Sequence, residues 1–200
     1  MIENDRALMR VSAALASRDV DALTKALGWA NQVADPLQVE EVILQSYLFL
    51  GFPTALTGMS IWRSQSTTLP GRASALDCGG WEARGQDVCR AVYEGQYDEL
   101  REHVRDLHPD LELWMVVEGY GKVLGRPGLP LATRELCIVA ILTVSGALKQ
   151  LYSHMRGALN VGARSGDVDA ALSEAEVFVD EEGRRASRRL WEKILASHQA

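Results

Sequence analysis

The stretch PLATRELCIVAILTVSGALKQLYSHMRGALNVGA, residues 130–163, decides how this chain folds. Leu136 to Val144 is apolar almost without a break, and Ser145-Gly146-Ala147 interrupts it. The run that follows spaces Leu148, Leu151, Tyr152, Met155 and Leu159 three or four residues apart, as an amphipathic helix does. Pro130, and Thr133 followed by Glu135, are helix-start signals. The segment reads as two antiparallel helices joined by a tight turn at residues 145–147. On a wheel of about 100° per residue, the second helix carries its apolar stripe on Leu148, Met155 and Leu159. Ala147, Gln150 and His154 gather on one flank. A titratable ring beside small and polar neighbours makes that flank the place to look for chemistry.

Outward from this hairpin the helical period continues. Residues 4–17, 22–33, 39–50 and 54–65 each carry apolar faces, with breaks at residues 19–21, at Asp35-Pro36 and at Gly51-Phe52-Pro53. Residues 66–80, STTLPGRASALDCGG, read as a linker. Helices follow at 81–94 and 97–106, and another from Pro109 carries Leu113, Val116, Val117, Tyr120 and Val123. After the hairpin a helix begins at 167–172, and residues 173–200 form a polar helical tail anchored by Phe178, Leu190, Trp191, Ile194 and Leu195. Alternating strand patterns are absent, so the fold class is all-α.

Two hundred residues fit one compact domain with a buried core. A net charge of −6 speaks against nucleic acid, whose phosphates need a basic face. The basic patch Arg184, Arg185, Arg188 and Arg189 follows Asp180, Glu181 and Glu182 and reads as a solvated helix surface. No apolar run approaches the ~18–20 residues that span a bilayer, and the N-terminal MIENDRALMR lacks a signal-peptide core. Cys78, Cys89 and Cys137 are odd in number, with no CxxC and no zinc-like pairing. The expectation is a cytoplasmic protein with reduced thiols, no nucleic-acid or membrane partner, and Cys137 packed as a small hydrophobe.

An internal repeat accompanies this organisation. With Lys25 set over His154, KALGWANQVADPLQVEEVI lies over HMRGALNVGARSGDVDAAL without a gap, matching Gly28 to Gly157, Asn31 to Asn160, Ala34 to Ala163 and Val39 to Val168. The chain divides into a degenerate first unit, 1–65, the linker 66–80, a second unit, 81–172, and the tail 173–200. Only the second unit keeps Glu135 and His154; the first has Ala7 or Arg6 and Lys25 in those places.

The segment RELCIVAILTVSGALKQLYSHMRGALNVGA resembles the signature of the carboxymuconolactone decarboxylase family, which includes the alkylhydroperoxidase D-type proteins. VEEVILQSYLFLGFPTALTGMSIWR is similar to a segment that closes a unit of that family, and GGWEARGQDVCR through GRPGL to the decarboxylase-type segment before the signature. The resemblance covers about residues 5–65 and 80–172. It implies an alkylhydroperoxidase D-like helical bundle with two related helix-hairpin units, self-associating as a homo-oligomer. In the peroxidase branch a Glu, a CxxC and a His stand at fixed spacing. Glu135 and His154 occupy the outer places here, and the two cysteine places fall on Ala147 and Gln150. Disulfide-cycling peroxide reduction needs an attacking thiolate and a resolving thiol, so that activity is disfavoured.

The decarboxylase branch lacks the CxxC, as this chain does. It implies loss of CO₂ from a small carboxylated lactone or cyclic acid, with neither metal nor organic cofactor. Such a reaction needs an electron sink for the dienolate and an acid for the carbon left behind. His154 is the candidate acid, with a ring that exchanges protons near neutrality, and Glu135 the group that orients or charges it. Arg134 or Arg156 would hold the substrate carboxylate bidentately, with Gln150 beside them. Counting from the turn, Glu135 stands about 7 Å of helix further out than His154. A direct bond between them therefore requires a bent hairpin or a bridging water.

Each of these residues also has a plainer reading. His154 can be a hydrogen-bonded histidine at a subunit contact, Glu135 a first-turn acid on the helix dipole, and Arg134 and Arg156 ordinary ion-pair partners. Lys149, His103 and His108 read as solvated. The second unit also lacks a closing helix after Leu172, so the helix at 39–50 is expected to serve instead, with Phe49, Phe52 or Trp62 lining a pocket formed by residues 39–62 and 110–163. Two functions follow: a cofactor-independent carboxy-lyase, or a non-catalytic protein that binds a small ligand or serves as an oligomeric scaffold.

Overall fold

A computed structural model describes residues 3–69 and 78–198; residues 70–77, most of the expected linker, lie outside it. The described chain is helical throughout: α1 (Glu3–Ser17), α2 (Val20–Val33), α3 (Pro36–Gln65), α4 (Trp81–Tyr93), α5 (Tyr97–Leu107), α6 (Pro109–Trp114) running on into a wider turn, α7 (Leu131–Ser145), α8 (Leu148–Asn160), α9 (Ser165–Ala175) and α10 (Glu181–His198).

At the centre α1 packs along α7. Both are buried over most of their circumference, from Ala7 to Leu15 and from Leu136 to Ile141. An apolar run with no polar face has no stable place but the middle of a bundle. α2 and α3 close on α1, and α8 and α9 close on α7. The α7–α8 hairpin turns as expected: Gly146 takes the left-handed conformation (φ 67°, ψ 20°), where a Cβ would be strained. Arg18 holds the same left-handed region (φ 59°) between α1 and α2, at the equivalent place in the first half.

Three features depart from the sequence-based expectation. First, α3 is long and apolar enough by length and composition to cross a bilayer, contrary to the reading of no such run. It is nonetheless broken at Gly51 (φ 78°, ψ 166°), where the break was expected, and each piece is shorter than the ~20 residues a span requires. Val39, Val42, Ile43 and Trp62 on its inner side are buried in the core. Second, the tail is a structural element: α10 packs on α8 and buries Trp191 and Ile194, so the second set of helices has its own closing helix.

Third, residues 115–124 wind as a π-helix, the Gly125 N–H donating to the Tyr120 carbonyl at 2.8 Å. Such winding is rare and concentrates at functional sites. It lies against α4 more extensively than any other pair of elements, because two glycines remove the side chains between the backbones. A Cβ on Gly85 would fall on the Val116 carbonyl, and one on Gly121 on the Trp81 carbonyl.

Candidate functional site

Glu135 sits in the first half of α7 and is fully buried; His154, on α8, is 6 % exposed. They meet directly, His154 Nδ1 lying 2.7 Å from Glu135 Oε2. The bond is direct, although the offset along the hairpin called for a bent hairpin or a bridging water. One turn beyond His154, Gly157 leaves the space in which the carboxylate lies: a Cβ there would stand 3.1 Å from Glu135 Oε2 and 2.6 Å from Val92 Cγ1. Glu135 Oε1 is buried without a hydrogen-bond partner. His154 is therefore the one side chain hydrogen-bonded to this carboxylate among the described residues. With Nδ1 committed, Nε2 is the nitrogen available to a molecule above the ring.

That space is a cavity of about 810 Å³ lined by His154 and Gln150 of α8, Phe49 of α3, Tyr93 of α4, and Glu118 and Tyr120 of the π-helix. Phe49 and Tyr93 place their rings edge-on to His154, at 6.1 and 6.3 Å between centroids. Tyr120 hydroxyl donates to Tyr93 hydroxyl at 3.2 Å. Burial raises the Tyr93 phenol well above its ordinary value, against the lowering effect of Tyr120's donation. Burial also raises Tyr120, reinforced by Tyr93 and Glu135. Both stay neutral near pH 7, and because Tyr93 accepts from Tyr120, its own O–H is free to donate into the cavity.

The expected site residues separate. Glu135, His154 and Gln150 come together, Gln150 on the exposed side of the cavity. Arg134 does not join them. It is fully buried, donates to Glu41 Oε2 at 2.8 Å, to the Arg126 carbonyl at 3.0 Å and to Gln45 Oε1 at 3.2 Å, and lines no part of this cavity. Next to Glu135 in sequence, it is turned by the helix toward α3 instead. Burial works to raise the Glu41 carboxyl, but Arg126 and Arg134 together hold it below 4.5. Arg156 is exposed and borders a smaller adjoining cavity of about 220 Å³ with His103, Tyr152 and Asn160. Of the three aromatic residues expected from α3 only Phe49 lines the site; Trp62 is core, and Phe52 stacks on Tyr47, 4.9 Å between centroids.

Lys149, Ser153 and His103 also border the cavity, and Lys149 and His103 are exposed, as their reading from sequence as solvated expects. Lys149 and Ser153 precede Gln150 and His154 by one residue each, so the same wheel carried the signal. Tyr93 and Tyr120 had none, because they arrive from other helices. Cys89 and Cys137 are buried, and burial pushes each thiol up to about 12. Cys137 is the packed small hydrophobe expected.

Residues 111–193 match the model of the Carboxymuconolactone decarboxylase family. That segment is similar to the family, and the described residues form an all-α bundle like the family's alkylhydroperoxidase D-like fold. Over 94 residues, 47 % of this chain and 70 % of the relative, it is 25 % identical to the 4-carboxymuconolactone decarboxylase of Acinetobacter baylyi. The matched segment starts later than the resemblance suggested and runs through most of α10, so the tail belongs to it while α1–α5 stand outside.

Proposed function

We propose that the cavity over His154 is the active site of a cofactor-independent lyase acting on a carboxylated lactone or cyclic acid. The observation that carries this reading is the buried Glu135–His154 pair, whose open ring nitrogen borders a cavity. The match of residues 111–193 to the family and the likeness to the decarboxylase relative support a decarboxylase-like function at the level of the family. The substrate carboxylate sits by Lys149, the cation on the cavity wall, in the role Arg134 cannot fill. The carbon–carboxylate bond breaks and its electron pair moves into the conjugated lactone carbonyl, giving a dienolate and CO₂. The O–H of Tyr93 or the amide of Gln150 donates to the developing oxyanion. The imidazolium of His154, charge-balanced by Glu135, delivers its Nε2 proton to carbon and is reprotonated from solvent.

The test is incubation of the protein with γ-lactone acids in D₂O, following CO₂ release and deuterium at the protonated carbon by NMR. His154→Ala is expected to lower turnover about 10²–10⁴-fold, with helical content and assembly unchanged. Glu135→Gln, nearly isosteric but neutral, is expected to lower it about tenfold, a charge-assisted hydrogen bond becoming a neutral one. Turnover that survives His154→Ala overturns the assignment. A protein that turns over none of these acids is the ligand-binding or scaffold protein instead. We further propose a cytoplasmic homo-oligomer, supported by exposed Leu44, Phe52 and Leu56 on one helix; sedimentation as a monomer would refute the assembly.

A further inference from the structure

We infer that the ligand is an amphiphile: an acidic or lactone head at His154 bearing a substantial apolar extension that lies along α5 and α6. This rests on the placement of the ligand head at His154 proposed above and concerns the rest of the molecule. A cavity of about 810 Å³ falls in the range that encloses a drug-sized ligand. A single-ring lactone acid would leave most of it filled with water against apolar walls.

The two ends of the cavity differ in chemistry. His154, Tyr93, Tyr120, Gln150 and Ser153 make a polar end, with Lys149 bordering the same space. Glu118 is engaged by the Tyr47 hydroxyl at 2.8 Å and by Lys122 at 3.5 Å. The other end carries a stripe of Leu100, Val104 and Leu107 of α5, with His103 among them, and Leu111 and Trp114 of α6, spaced three or four residues apart within each helix so that each group turns to one side. Leu107, Leu111 and Trp114 remain 66, 50 and 57 % exposed. The family match begins at residue 111 and holds Tyr120, Gln150, Ser153 and His154 of the polar end, while α4, before it, adds Tyr93 and α5 adds Leu100, Val104 and Leu107.

Such spacing also suits a partner helix, but a helical partner needs a continuous seam. Here the backbone is extended at His108 (φ −168°, ψ 130°), and Pro109 begins a new helix. The stripe is bent around the mouth of a cavity whose polar end holds a ring nitrogen without a committed partner. A small ligand satisfies both ends at once.

The experiment is calorimetric titration of the full chain with straight-chain carboxylates from butanoate to decanoate. Affinity is expected to rise about three- to fourfold per methylene, with one site per chain. Leu107→Glu and Trp114→Ala should flatten that slope. Leu113→Glu, at a 48 % exposed position on the same helix but off the cavity wall, should keep it. Affinity that does not depend on chain length overturns the inference, as does a slope unaffected by Leu107→Glu. Should Leu107→Glu reduce the sedimentation mass and leave the slope intact, the stripe is a subunit contact and the inference falls. Binding requires no turnover, so the two readings fail separately. A steep slope without lyase activity keeps the ligand class, whereas turnover of bare lactone acids with a flat slope keeps only the lyase.

Discussion

Replacing Gly121 by alanine tests the contact on which the site's geometry depends. The added Cβ would land on the Trp81 carbonyl oxygen and 2.7 Å from its carbon. Ordinary contact begins near 3.4 Å and the oxygen would stand at 2.0 Å, so α4 and the π-helix must part by about 1.4 Å along that line. The obstacle is backbone on a helix and not the tip of a mobile side chain, so rotamer change gives no relief. Overpacking of this kind costs about 1–3 kcal/mol and occasionally more, and a backbone obstacle belongs at the upper end, about 3 kcal/mol. For a chain of 200 residues that corresponds to a melting temperature lower by roughly 6–12 °C. The assay is urea and thermal unfolding by circular dichroism, compared at constant m-value. Gly85→Ala attacks the same interface from the α4 side, where the Cβ would meet the Val116 carbonyl. Once either substitution has parted the helices the second meets less resistance, so the double variant should lose less than the sum. Because Tyr93 ends α4 and Tyr120 lies in the π-helix, ligand affinity should fall together with stability. Stability within about 0.5 kcal/mol of wild type in both single variants would show that the backbones do not touch, and the account of the π-helix would be wrong.

The remaining predictions concern the buried charges and thiols. Arg134→Met leaves Glu41, already largely buried, with Arg126 as its guanidinium partner among the described residues, and should cost about 3–5 kcal/mol. With Arg134 off the cavity wall, carboxylate affinity should stay unchanged; a loss of affinity larger than the loss of folded protein would restore Arg134 to the site. Because the folded Glu41 carboxyl lies below 4.5, its contribution to stability is present above that pH and lost as pH falls through the lower folded value. Acid unfolding should therefore begin at higher pH in Arg134→Met than in wild type. In a Cys78→Ser background, Cys89 and Cys137, buried with thiols pushed up to about 12, should not react with a thiol reagent at pH 8 until the protein unfolds. Fast labelling of either would reopen thiol chemistry.

Hydrophobic periodicity, punctuated by Gly and Pro, determined most of the helices, the tight turn at residues 145–147 and the break at residues 51–53, because these depend on neighbours within a turn or two of chain. The helical wheel also placed Gln150 and His154 on one flank, and the resemblance to the family added Glu135 at its fixed spacing. Which way a side chain leaves a fully buried helix is another matter. α7 is apolar on every side, so no polar face in the sequence says that Arg134 turns to Glu41 while Glu135 turns to His154; only packing against α3 and α8 decides it. The direct Glu135–His154 bond depends on the space above Gly157, the π-winding on contact between Gly85, Gly121 and the opposing carbonyls, and the Tyr93–Tyr120 pair on two helices that sequence does not align. These are long-range contacts, set by how helices approach one another, and no local pattern encodes their distances.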